Sequence, residues 1–94
     1  MSVLSAELAG AAELVQHCRV IAGMRRSVED WAALESCDQF QSPHYCGGFE
    51  ADERAFCFSY YDLSGTESWF TLSLSQAQAI AQGASLALEL RESS

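Results

Sequence analysis

Four residues with soft metal-ligating side chains lie within 21 positions of one another in the middle of the chain: Cys37, His44, Cys46 and Cys57. Tetrahedral zinc sites use ligand sets of this kind. The spacing lacks the C-x2-C pair of a zinc knuckle, and on an extended segment His44 and Cys46 project from the same side without forming a tight turn. The pattern favours buried thiols over a zinc module, and we predict neither a metal nor a cofactor.

A nucleophilic cysteine needs a thiol of low pKa beside a base, and two sequence-local pairs offer this: His44 with Cys46, and His17 with Cys18. Acidic neighbours raise a thiol pKa, which disfavours the thiolate around Cys46. Cys18 falls on the apolar face of the first predicted helix. We therefore predict no catalytic residue and no enzymatic activity.

Paired carboxylates offer a third kind of chemistry, since Glu29 and Asp30 are adjacent, as are Asp52 and Glu53. Neither pair belongs to the D-x-D-x-D-G pattern of a calcium loop. The glycine pair 47–48 is no phosphate-binding loop either, because it precedes no helix and no lysine follows it. These carboxylates indicate a charged surface.

The charge of the chain is concentrated in its middle. Between residues 29 and 67 nine carboxylates face one cation, Arg54, and this stretch carries the whole net charge of −8. A concentrated negative field attracts basic protein surfaces and repels nucleic acid and anionic membranes. We therefore expect a basic protein partner, with no direct contact to nucleic acid or membrane.

All five cations of the chain are arginines, and lysine is absent. Arginine holds carboxylates and other oxyanions through two parallel hydrogen bonds, which the ammonium group of lysine cannot do. A general bias in amino-acid composition would also give five arginines and no lysine. The absence of lysine therefore does not by itself identify a binding site.

Aromatic residues accompany the acidic stretch, and about half of them are expected in the core. Tyr61 and Trp69 alternate away from the predicted core face, and Tyr45 and Phe49 fall in a predicted loop. Tyr and Trp commonly anchor interfaces. The predicted partner-binding set comprises Glu29, Asp30, Glu35, Asp38, Tyr45, Phe49, Glu50, Asp52, Glu53, Tyr61, Asp62, Glu67 and Trp69.

The elements that position these residues follow from periodicity. Apolar residues at three- and four-residue steps predict a long amphipathic helix over residues 3–25. Ser27 is a predicted N-cap for a short helix reaching about Cys37, and residues 38–48 form a predicted irregular loop or broken edge strand. Alternation from Arg54 predicts a hairpin in which Phe58 faces Phe70.

The last third of the chain begins with a capping-box pattern, Ser73 followed by Gln76, which predicts a helix. Its end is ambiguous. Leu86, Leu88 and Leu90 alternate like a strand, while the Ala, Leu and Glu content favours continued helix, which we predict.

With 94 residues, of which 49% are hydrophobic, the chain is expected to form a single folded domain over residues 1–94. The start lacks the charged and apolar pattern of a secretory signal, and no apolar run is long enough to span a membrane. A cytoplasmic location with reduced thiols is expected. The predicted fold class is α+β: a small antiparallel sheet built on a β-hairpin, covered on one face by two helices, with a short helix and an irregular loop.

In size, charge and lack of a recognisable catalytic site, the chain resembles the small acidic α+β inhibitors that phages encode against bacterial defence, the anti-CRISPR proteins. More loosely, it resembles the immunity proteins that neutralise toxins. The resemblance implies a non-enzymatic inhibitor that binds a CRISPR effector or another nucleic-acid-binding protein, with its acidic and aromatic face acting as a DNA mimic. A homo-oligomeric adaptor, in which Leu86 and Leu90 of a continued helix pack a second copy as a homodimer, is the alternative.

Overall fold

A computed structural model describes residues 2–5, 10–34, 39–62 and 64–92 of the chain. These ranges hold six strands and three helices. In chain order they are β1 (Ser2–Ser5), α1 (Ala11–Met24), α2 (Val28–Ala33), β2 (Gln39–Gln41), β3 (Tyr45–Glu50), β4 (Ala55–Tyr61), β5 (Glu67–Leu72), α3 (Leu74–Ala81) and β6 (Ala87–Glu92).

The six described strands form one antiparallel sheet in the order β1-β6-β5-β4-β3-β2. Helices α1 and α3 pack against each other, and their buried residues join the buried face of the sheet in one hydrophobic cluster. The predicted α+β class, with helices on one face of an antiparallel sheet, is confirmed. The sheet is larger than the predicted hairpin, because strands from both ends of the chain and from the predicted loop extend it.

The β4–β5 hairpin has the predicted register, with Phe58 opposite Phe70 and Phe56 opposite Leu72. All four side chains are buried, and the Phe58 and Phe70 rings stack with their centroids 5.3 Å apart. Alternating side chains point to opposite faces of a strand, so this row defines the core face of the sheet. The other face is called the open face below.

Helix α1 is shorter than predicted. Its buried stripe of Ala11, Leu14, Cys18 and Ile21 has the expected spacing, but the helix begins only after Gly10, whose φ of 83° is left-handed. Residues 2–5 instead form β1, which pairs with β6 near the other end of the chain. Local periodicity could not reveal that pairing, since its partner lies more than 80 positions away.

The prediction that α3 continues towards residue 91 is wrong. Its capping box is present, because Ser73 Oγ accepts from Gln76 N and Gln76 Oε1 accepts from Ser73 N. The helix then ends at Ala81, before Gly83 with a φ of 105°; Leu88 and Leu90 belong to β6, and Leu86 directly precedes that strand. There they are buried on the core face, and this burial outweighs the helix propensity of the segment.

The predicted short helix is present as α2 and begins with a full capping box between Ser27 and Asp30, but it ends at Ala33, where the extended backbone of Leu34 stops it short of the predicted Cys37. Of the two alternatives predicted for residues 38–48, the edge strand is closer to the structure than the irregular loop within the described residues. This segment contains the short edge strand β2 and most of β3, joined around Pro43 and His44.

Gly47 allows β3 to approach β4 closely on the core face. A Cβ atom at this position would overlap the carbonyl oxygen of Cys57 and lie 2.7 Å from Phe58 Cα. The backbone of β4 cannot move away without disturbing the packed aromatic row, so only glycine fits here.

Replacing Gly47 by Ala is expected to lower the free energy of unfolding by about 1–3 kcal/mol, the usual cost of overpacking. Gly23→Ala is the matched control. Gly23 lies in α1 with no neighbouring atom within 4 Å of an added Cβ, so alanine there should raise stability by up to about 1 kcal/mol. Urea unfolding followed by circular dichroism measures both, and an unchanged Gly47→Ala midpoint would contradict the close approach.

Candidate functional site

One end of the sheet collects carboxylates from two separate elements. Glu29 and Asp30 lie in the first turn of α2, and Glu50, Asp52 and Glu53 lie at the end of β3 and in the following turn. All five residues are exposed. We call this set, Glu29, Asp30, Glu50, Asp52 and Glu53, the acidic edge.

Arg54 connects the two halves of the acidic edge. Its Nη2 atom donates to Glu29 Oε1 at 3.1 Å, although the two residues are 25 positions apart. Both side chains are largely exposed, so the pair adds little stability. The contact is informative because of its position: it shows that the carboxylates of α2 and of the β3–β4 turn lie side by side.

The negative charge of the acidic edge affects a thiol on the neighbouring open face. The pKa of the Cys57 thiol is raised, first by burial and then by the negative charges of Glu50 and Glu53. The cysteine thus reports the negative potential that these carboxylates project over the start of β4.

The remaining predicted carboxylates of the described chain lie at the opposite end of β4. Glu67 faces Tyr61 across the β4–β5 hairpin, and Asp62 follows Tyr61. Seven residues of β4 separate the two ends, which is roughly 20 Å at the rise of an extended strand. The acidic residues therefore form two groups at the two ends of the sheet.

Asp62 has a structural task in the β4–β5 turn. Its Oδ1 atom accepts hydrogen bonds from Ser64 N at 2.9 Å, Ser64 Oγ at 2.7 Å and Thr66 N at 2.9 Å. The Ser64 hydroxyl, followed by the backbone of Thr66, lowers the pKa of Asp62. Its carboxylate holds the turn, which makes Asp62 a weaker candidate for a partner contact than Glu67.

The open face between these two ends carries Tyr61 and Trp69. Tyr61 is 40% exposed and Trp69 is half-buried, as expected from their alternation. Arg91 of β6 pairs with Trp69 in the sheet, and its guanidinium carbon lies 4.9 Å from the ring centroid. This cation–π contact holds the indole and adds a positive charge to the open face.

Tyr45 and Phe49 are not exposed loop aromatics, and that prediction is wrong. Both lie in β3 with exposures of 1% and 3%. The Tyr45 hydroxyl donates to the Gly10 carbonyl at 3.0 Å, and the Phe49 ring stacks on Trp31. They serve the core. The predicted contacts Glu35 and Asp38 lie outside the described residues.

Three of the four cysteines lie within the described residues. Cys18, Cys46 and Cys57 are free thiols, and Cys37 lies outside the described residues. Burial raises the pKa of Cys18 to about 11, so its thiol stays protonated and unreactive at neutral pH. Within the described ranges, no group of three or more His, Cys, Asp or Glu residues is placed to hold a metal ion.

His17 lies among aromatic side chains on the inner side of α1. Its ring centroid is 5.4 Å from those of both Phe40 and Tyr45. Burial lowers the pKa of His17 below 6.5, while a hydrogen bond with the Gln41 backbone and the charge of Glu13 oppose this shift. Protonation of His17 therefore costs the folded state free energy.

Arg91 is the contact residue that sequence reasoning missed. Its position opposite Trp69 depends on β6, which the prediction of a continued helix concealed. The alternation of Leu86, Leu88 and Leu90 was the available signal, since a strand there places Glu89 and Arg91 on the open face.

No protein-family model, curated protein or solved structure matches the chain. Across the described ranges, no helix is both long and apolar enough to cross a membrane. The proposed function therefore rests on the chemistry and arrangement of the side chains described above.

The lowered pKa of His17 makes the free energy of unfolding depend on pH, and it determines the sign of that dependence. The unfolded chain binds a proton at His17 near pH 6.5 and the folded chain only at lower pH, so this residue's contribution to stability is complete above pH 6.5. It is lost as the pH falls through the lowered folded pKa. Acidification from about pH 7.5 to about pH 5.5 should therefore destabilise the wild type relative to His17→Gln, with a slope of at most about 1.4 kcal/mol per pH unit.

The comparison with His17→Gln removes the contribution of the carboxylates, because both proteins share them. Urea unfolding at several pH values measures the difference. Parallel stability profiles for the two proteins would contradict the lowered pKa.

Proposed function

We propose that this protein is a non-enzymatic inhibitor that occupies a basic, nucleic-acid-binding surface of another protein, in the manner of an anti-CRISPR protein. The observation that carries the proposal is the acidic edge, where carboxylates of α2 and the β3–β4 turn meet beside the open face. A CRISPR effector is one such target, and the nuclease bound by an immunity protein is another.

Charge mimicry explains how such a surface would inhibit. A protein binds DNA or RNA largely by placing Lys and Arg against phosphates. Five exposed carboxylates along one edge offer negative charges to the same cations, and one of them, Glu29, is paired with Arg54. Association would then be fast at low salt and weaker at high salt.

The open face supplies the second part of the proposed contact. Tyr61 and Trp69 are aromatic anchors of the type that Arg-rich partners pack against, and Glu67 lies at the far end of the same hairpin. A partner lying along β4 would meet the acidic edge first, the aromatic pair next and Glu67 last. The proposed contact set is therefore Glu29, Asp30, Glu50, Asp52, Glu53, Tyr61, Glu67 and Trp69.

The homo-oligomeric alternative loses the observation on which it depended. Leu86 and Leu90 do not form a second apolar stripe on a helix, because both are buried on the core face of the sheet. Their burial leaves them no surface to offer a second copy of the chain.

Glu50→Gln combined with Glu53→Gln tests the acidic edge. The double variant is expected to slow association with the partner roughly three- to tenfold and to reduce its salt dependence, with little change in stability since both side chains are exposed. Partners are first captured from bacterial lysate at low salt and identified by mass spectrometry. Association rates with the purified partner are then measured by surface plasmon resonance.

The matched control is Glu13→Gln, which removes one exposed carboxylate from α1, and it is compared with Glu50→Gln alone so that both variants change the net charge equally. Glu13→Gln should bind nearly as the wild type does, whereas Glu50→Gln should associate more slowly. A second arm adds duplex DNA, which should compete with the protein for the partner. Equal rates for the two single variants, or simultaneous binding of duplex and protein, would refute charge mimicry at this edge.

A further inference from the structure

A groove of about 420 Å³ opens on the helical side of the molecule, away from the open face of the sheet. The end of α1 contributes Ala22 and Arg25, and the linker to α2 contributes Arg26 and Ser27. Helix α3 forms the opposite wall with Leu74, Gln78 and Gln82. We call it the arginine groove.

The lining of the arginine groove is suited to an anion. Two guanidinium groups and two carboxamides line it, while no carboxylate does. This is unexpected in a chain whose net charge is −8. Within the described residues, the side chains of Arg25, Gln78 and Gln82 have no hydrogen bond or ion pair, so their donors are open to a ligand.

Arg26 brings rigidity to the groove. Its guanidinium carbon lies 4.7 Å from the centre of the Trp31 ring, and Trp31 is fully buried. The Nη1 atom of Arg26 also donates to Met24 Sδ at 3.6 Å, so this residue contributes a fixed positive charge to the wall of the groove while Arg25 supplies the open donors. Ala22 and Leu74 add some apolar surface beside the charged groups.

We propose that the arginine groove binds a small organic molecule that carries an oxyanion, either a phosphate ester or a carboxylate. The planar fork of arginine matches both groups through paired hydrogen bonds. The two glutamine amides of α3 would hold other polar groups of the ligand, and Leu74 would contact its apolar part. Ligand binding here does not require the function proposed for the acidic edge, although Asp30 of that edge is hydrogen-bonded to the groove residue Ser27.

The position of Arg25 at the end of α1 accounts for a positive charge there, but it does not account for the concave surface of the groove. Cations stabilise a helix C-terminus, and Arg25 immediately follows Met24, the last residue of α1. That role requires neither a concave surface nor two glutamines from a different helix. The convergence of α1, the linker and α3 is what indicates a ligand.

The test uses nuclear magnetic resonance of the full-length 15N-labelled protein, titrated separately with AMP, citrate, inorganic phosphate and uncharged adenosine. Saturable shifts of residues lining the groove are expected with AMP or citrate at millimolar concentrations. Shifts with AMP alone identify the phosphate source, and shifts with citrate alone identify the carboxylate source. Adenosine should cause no saturable shift.

Arg25→Gln is expected to weaken the binding of the active probe at least fivefold. Arg19→Gln is the matched control, because it removes the same charge from an exposed position of α1 outside the groove. It should bind as the wild type does. The proposal is overturned if no probe gives saturable shifts in the wild type, or if the two variants weaken binding equally, as expected for nonspecific attraction.

Discussion

Strand β4 is the constraint on which the rest of the structure depends. Phe56, Phe58 and Tyr60 alternate with Cys57 and Ser59, so only one of its two faces can form the core. A shift of register by one residue would expose all three aromatic rings, which makes the pairing with β3 and β5 strongly specified. Both helices that cover the sheet then have to lie on that one side.

The same strand determines where charge is allowed. The interior is filled by aromatic and aliphatic side chains, so the described carboxylates of the acidic stretch are excluded from it and lie where β4 begins and ends. The acidic edge belongs to the first of these ends and Glu67 to the second. A sequence stretch that is uniformly acidic thus becomes two charged regions, separated by a strip with aromatic side chains.

The acidic edge and the arginine groove differ in the sign of their charge and in the elements that form them. The acidic edge depends on turns at the end of the sheet, whereas the arginine groove depends on the packing of α1 against α3. The two surfaces adjoin at the start of α2, because Arg26 and Ser27 line the groove and the Asp30 carboxylate of the acidic edge accepts a hydrogen bond from Ser27 N.

The sequence by itself determined the local features: the hairpin register of Phe58 and Phe70, the caps at Ser27 and Ser73, and the positions of Tyr61 and Trp69 on the open face. These depend on neighbours within a few residues or on strict alternation, which a sequence displays directly. The clustering of acidic residues was also visible, but not their division between two ends of a sheet.

Only the tertiary structure decided the features that depend on distant partners. The pairing of β1 with β6 turned the start of one predicted helix and the end of another into strands, because burying Leu88 and Leu90 on the core face outweighs local propensity. Tyr45 and Phe49 moved into the core for the same reason, since their neighbours there come from α1 and α2. Contacts between residues far apart in the chain have no local pattern, and they gave both the acidic edge and the arginine groove their shape.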